Sequence, residues 1–119
     1  MDATSFELNL SLPNDARYVA ALRDVAVHAA RYAGCRGADA DRFGAVVETI
    51  MLGCLTHVAS GETPLPIVVR RGDGPVEVLI ACDRRFDAVP VKDSHISVAW
   101  VCEHGRQMCC VARAMPLDV

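Results

Sequence analysis

The chain has 119 residues, 52% of them apolar and 23% charged, and a formal net charge of −3. That length gives one domain with room for a proper core, and the apolar share excludes an intrinsically disordered chain. Acids and bases are scattered with no Lys/Arg run, which argues against a nucleic-acid partner held through phosphates. Aromatic residues are sparse, so the core must be built mainly from Val, Ala, Leu and Ile.

The opening stretch, Met1 to Pro13, has no basic segment followed by a long apolar one, so no signal peptide is expected. Residues 6–12, FELNLSL, alternate: Phe6, Leu8, Leu10 and Leu12 on one side, Glu7, Asn9 and Ser11 on the other. Period two predicts a half-buried strand. Pro13 ends it, and Asn14 is placed to cap a helix over 15–33. In that helix Tyr18, Leu22, Val25, Ala26, Ala29 and Ala33 form the apolar stripe. His28 lies beside the stripe and is expected to be a partly buried structural histidine. Gly34 stands where a glycine stops a helix.

The longest apolar run follows: Asp41 to Ala59, DRFGAVVETIMLGCLTHVA. It predicts a second helix, capped by Asp39 or Asp41 and apolar almost all the way round, hence buried on most sides. Glu48 and His57 within it, and a length at the short end of the ~17–25 residues a bilayer needs, argue against a membrane span. The protein is expected to be cytoplasmic, with no membrane contact.

From Leu65 onward the pattern is β. LPIVVRR (65–71) and VEVLIAC (76–82) predict a hairpin about Gly72-Asp73-Gly74-Pro75, whose glycines would supply positive φ. The near-continuous apolar run of the second strand predicts a central position. Asp83 to Ser94 is a polar loop. HISVAWVC (95–102) and QMCCVARA (107–114) predict a second hairpin around Glu103–Arg106. The order β-α-α-β-β-β-β predicts a two-layer α+β fold, with the helices on one face of a mostly antiparallel sheet, as a single domain over residues 1–119.

Six cysteines occur with no CxxC spacing, so small buried apolar side chains are the expectation. A metal site from Cys54 and His57 with Cys102, His104 or Cys109 matches no known ligand spacing. A redox or metal sensor using Cys102 and Cys109 is a third-ranked reading.

Three segments carry a family resemblance. LPNDARYVAALRDVAVHAARYAG, with Arg23, resembles the opening strand end and first helix of the GHKL (histidine-kinase-type) ATPases, in their bacterial anti-sigma-factor and serine-protein-kinase branch. FGAVVETIMLGCLTHVA resembles that branch's N-box helix, and GPVEVLIACD the strand leading to its adenine-binding aspartate. The resemblance covers residues 6–83.

It implies an N-box of Glu, then Asn, then often His, each four residues on. These line one helix face because i, i+4 and i+8 are in register. Glu48 matches the Glu. Leu52 stands at the Asn position, and Thr56 at the His position with His57 next to it. A leucine cannot ligate Mg²⁺, which needs oxygen donors. Asp83 matches the adenine-binding aspartate, but Arg84, Arg85, Phe86 and Asp87 follow where glycines are expected, and the lid that covers the phosphates is missing. The resemblance thus implies an abridged GHKL-like fold without hydrolysis, without nucleotide and without metal. Such a pseudo-ATPase is expected to act as a non-catalytic regulatory protein. It would bind a sigma factor, an antagonist or another signalling protein through the Asp83–Ser94 loop, with Arg84, Arg85, Phe86 and Asp87 as contacts, and form a homodimer through exposed sheet edges. The alternative is an enzyme or small-molecule sensor with a remodelled pocket around Glu48, Asp83 and His57.

Overall fold

The computed structural model describes residues 5–13, 15–57, 65–72, 74–82, 95–103 and 105–114, with the side chains of Thr56 and His57 outside that description. The elements in chain order are β1 (Phe6–Leu12), a 3-10 turn (Ala16–Tyr18), α1 (Val19–Tyr32), α2 (Ala38–His57), β2 (Leu65–Arg71), β3 (Val76–Ala81), β4 (Ile96–Glu103) and β5 (Arg106–Arg113). The predicted order holds, and the fold is α+β.

The sheet runs β1-β2-β3-β5-β4, and every pairing is antiparallel. β3 is central, as its apolar run required. Strand register sorts the side chains into two faces. Leu10, Ile67, Ile80, Cys109 and Trp100 fall on one row of one face. That face carries the helices. Arg71 Nη1 donates to the Ala33 carbonyl at the end of α1 (3.1 Å), and Arg113 pairs with Asp39 in the first turn of α2 (3.5 Å). Between helices and sheet lie Leu22, Phe43, Val47, Ile50, Met51, Ile67, Val69, Val78 and Ile80, all essentially inaccessible. Burying each such side chain stabilises the fold by about 1.5–3 kcal/mol before entropy is subtracted.

The first helix differs from expectation at its start. Asp15 is extended (ψ 129°) and its carboxylate accepts from the Arg17 amide at 2.9 Å. That bond holds a tight 3-10 turn first, so α1 begins at Val19. The expected cap, Asn14, lies outside the described residues. At the other end, Gly34 (φ 112°) closes α1. Its amide donates to the Arg31 carbonyl, and the Cys35 amide to that of Ala30. This is the two-bond glycine stop. His28 is exposed, a correction to the partly buried reading.

α2 also departs from expectation. It is not buried on most sides: Asp41, Arg42, Ala45, Thr49 and Leu52 are exposed. Phe43, Val47, Ile50, Met51 and Cys54 form its buried stripe. The outer face is apolar in composition but not in burial, because nothing in the periodicity distinguishes a covered Leu from an uncovered one.

Gly72 and Gly74 do not take positive φ; Gly34, Gly37 and Gly105 do. The short β4–β5 turn uses Gly105 at φ 75°. That tight turn pairs Glu103 with Arg106 and shifts both strands by one residue from expectation.

Candidate functional site

α1 and α2 pack antiparallel, and their contact is set by a glycine. A Cβ on Gly44 would overlap Val27 and lie 3.3 Å from the Arg23 carbonyl. The backbones therefore meet closely there. Two ion pairs share the resulting register: Arg31 with Asp41 at 3.3 Å, and Arg23 with Glu48 at 3.6 Å. One α2 turn beyond Glu48, on the same face, is Leu52, 46% exposed. The register carries Leu52 to the level of Val19 and Ala20. The outer surface of the helical hairpin thus presents an Arg23–Glu48 pair with exposed Leu52 and Ala20 to one side of it and exposed Ala45 to the other, and Thr49 turned back onto the Ala45 carbonyl (3.1 Å).

This arrangement fixes what Glu48 can do. Its carboxylate is half-buried and faces a guanidinium. A carboxylate engaged by a neighbouring guanidinium is not free to reach a substrate, as a base must. Leu52 supplies no oxygen to a cation. Thr56 and His57 lie at the helix end with side chains outside the described residues. Asp83, Arg84, Arg85, Phe86 and Asp87 lie wholly outside them, as does His104. The structure therefore unites Glu48 with Arg23 and Leu52.

A cavity among the described residues lies elsewhere. About 390 Å³ opens at the β2–β3 turn, lined by Phe6, Glu7, Arg70, Arg71, Gly74 and Glu77 among others. Its arginines are committed. Arg70 Nε donates to Glu77 (3.0 Å), and its two terminal nitrogens donate to the two oxygens of Glu103 (2.8 and 2.6 Å). Arg71 Nε donates to the Gly74 carbonyl at 3.2 Å. These carboxylates hold the Arg70 guanidinium charge more firmly than usual, Glu103 contributing most.

Five cysteines are buried and Cys102 is exposed. Cys54 of α2 approaches Cys82 and Cys109 on the helix-bearing face of the sheet. Burial first, then the neighbouring Cys82, pushes the Cys54 thiol up. Burial also pushes Cys109 up to about 11. Protonated, enclosed thiols are poor nucleophiles and poor metal ligands. Among the described residues, no group of three His, Cys, Asp or Glu side chains could hold a metal ion, and no helix is long and apolar enough to cross a membrane.

No protein-family model matches the chain, and no curated protein matches it either.

Two features escaped the sequence. The Arg70–Glu103 pair joins residues 33 apart in sequence, with no local pattern to signal it. Arg113, 3% exposed and with its Nε unpartnered, sits under the N-terminus of α2. Both belong to the framework rather than to the Glu48 face.

Proposed function

We propose that this protein is a non-catalytic regulator of the anti-sigma-factor, partner-switching type, acting by binding another protein with a nucleotide site that has decayed. The observation that carries the reading is Leu52. It stands one turn from Glu48, where the resembling family holds its cation with an asparagine, and its side chain is 46% exposed. An apolar side chain at that point offers nothing to a phosphate-bound cation and something to a protein surface. The Arg23–Glu48 pair at its border supports the same reading, because it engages the carboxylate that stands at the resembling family's N-box glutamate. Partner chemistry follows from the patch: a small apolar contact rimmed by a guanidinium and a carboxylate suits an amphipathic helix with its own charged rim.

Two measurements test this. Calorimetric titration with ATP and Mg²⁺ is expected to give no binding heat, and micromolar affinity would overturn the decayed site. Affinity purification from the native cell is expected to yield a sigma factor or signalling protein with the parent chain, and to lose it with Leu52→Asp. Equal recovery by both would move the contact off this face.

A further inference from the structure

We propose that the cavity at the β2–β3 turn is a binding site for an organic cation, a primary ammonium on an aliphatic stem, with Glu7 as its counter-charge. The site is separate from Leu52 and the helical hairpin. The sheet register shows why Glu7 is available. Glu7 of β1 stands opposite Arg70 of β2, and Arg70 opposite Glu77 of β3, all on the face away from the helices. Directly opposed Cα atoms are about 4.5–5.5 Å apart, so a Glu–Arg pair so placed ordinarily closes. Here Arg70 leans the other way. Its Nε donates to Glu77 at 3.0 Å, and its two terminal nitrogens donate to Glu103 at 2.8 and 2.6 Å. Among the described residues Glu7 keeps one long contact, from Asn9 Nδ2 at 3.4 Å, and it is exposed and lines the cavity. Three carboxylates thus surround one guanidinium, and the one left without a cation is Glu7.

The rest of the lining selects the ligand. Both Glu77 oxygens are engaged, one by Arg70 and the other by the Cys110 thiol at 3.4 Å. Arg71 gives Nε to the Gly74 carbonyl and Nη1 to the Ala33 carbonyl, at 3.2 and 3.1 Å. The arginines that line the cavity therefore already donate to acceptors. The acceptors have capacity to spare, because a carbonyl oxygen takes two hydrogen bonds and a carboxylate about four. The Gly72 carbonyl receives Ser5 Oγ at 3.3 Å, the Gly74 carbonyl receives Arg71, and Glu7 receives only Asn9. A ligand here must bring donors and positive charge, and an ammonium group brings three N–H donors.

A bare metal ion fits poorly. Ca²⁺ and Mg²⁺ take six or more oxygen ligands, and one free carboxylate is far short of that. The volume of about 390 Å³ is also much more than an ion fills, and falls within the ~300–1,000 Å³ of small-molecule sites. The turn leaves that space clear: a Cβ on Gly72 or Gly74 would meet nothing within 4 Å. Pro75, in the same lining, offers ring methylenes to an aliphatic stem.

Chemical-shift titration of the isotope-labelled full chain with cadaverine, at low ionic strength, tests the site. The amide signals of Glu7, Gly72 and Gly74 are expected to move and to saturate in the millimolar range, while sodium chloride at matched ionic strength moves none of them. Glu7→Gln keeps the size and removes the charge, and because Glu7 is exposed the variant should fold as the parent does. It is expected to weaken cadaverine binding about tenfold, the worth of one charge-assisted hydrogen bond. Asp24→Asn removes an exposed acid on α1 and is expected to leave the affinity unchanged. Nα-acetyl-lysine amide carries the same ammonium head on a peptide unit. Tighter binding of that probe than of cadaverine identifies a protein lysine as the source of the cation, and weaker binding a free amine. No saturable shift with either probe overturns the proposal. So does an affinity that Glu7→Gln leaves unchanged, or one that Asp24→Asn lowers as much.

Discussion

Arg70 of β2 grips Glu103 at the far end of β4 with two hydrogen bonds of 2.8 and 2.6 Å, although β3 and β5 lie between their strands. The register makes this pairing informative. Arg70 is opposite Glu77, Glu77 opposite Ala112, and Ala112 opposite Ser97, six residues before Glu103. On a flat sheet, three strand spacings across and six residues along would separate the two Cα atoms by roughly 25 Å. The sheet is therefore strongly coiled along its diagonal, in the sense that brings this corner over the face away from the helices. Leu79, Ala81, Met108 and Cys110 are on that face and are buried.

The pair is expected to hold the curl. Glu103→Gln removes the charge but keeps an acceptor, and Glu103→Ala removes both. Urea unfolding should show a loss of about 1–2 kcal/mol for Glu103→Ala and less for Glu103→Gln, the scale of a charge-assisted hydrogen bond that is partly solvent-screened. Arg70→Met should cost more than either, because it leaves Glu77 and Glu103 facing each other without a cation. Equal stability of all three variants would show that the coil is held by the apolar residues beneath it.

Gly44 sets how closely α1 and α2 approach. Gly44→Ala puts a methyl group into Val27 and against the Arg23 carbonyl. Helix propensity favours alanine by about 1 kcal/mol, but overpacking costs about 1–3 kcal/mol, so a net loss is expected. Gly44→Ala with Val27→Ala should recover much of it. Thermal melting of the three proteins distinguishes this from a simple propensity effect, in which the single variant would gain stability.

The strands were legible because each wrote its burial into period two or into a continuous apolar run, as FELNLSL and VEVLIAC do. The i, i+4 alignment of Glu48 with Leu52 was equally legible, since helix geometry alone dictates it. The outward orientation of that pair was not, because Ala45 and Leu52 are as apolar as Val47 and Met51, and only the tertiary contacts of Gly44 decide which stripe faces the sheet. Arg23 meeting Glu48 depends on that same interhelical register. The coil that joins Arg70 to Glu103 leaves no local mark at all.

Thiol chemistry should divide sharply. Cys102 is exposed and is expected to react with a disulfide reagent at once at mildly alkaline pH, the other five only as fast as the protein unfolds. Burial, then the nearby Glu77 charge, pushes Cys110 up to about 12, and burial pushes Cys109 up to about 11, both from an ordinary value near 9. Between those limits the unfolded chain has lost protons that the folded one keeps, so it binds fewer, and stability must fall as pH rises. The urea midpoint is expected to drop from pH 8.5 toward pH 11, an interval of about 2.5 units bracketing the unfolded thiols. Cys109→Ala and Cys110→Ala should each flatten part of that slope. An unaltered slope would mean that the thiols ionise alike in both states.

Leu52 gives the sharpest test of the proposed loss of nucleotide chemistry. Leu52→Asn introduces the residue that the resembling family carries at the matching position, and it is expected to leave ATP binding undetected by calorimetry. One amide oxygen does not make the near-octahedral oxygen shell that Mg²⁺ demands. Glu48 remains tied to Arg23, and Arg84-Arg85-Phe86-Asp87 still follows Asp83 where close backbone approach to adenine would call for glycine. Adding Arg23→Ala frees the carboxylate without supplying the rest, so the double variant should also fail. Both proteins should melt close to the parent chain, within about 0.5 kcal/mol for the surface leucine. Tight binding by Leu52→Asn alone would mean that the site is one side chain from active, and that the surface patch is a recent gain on a scaffold still built for phosphate.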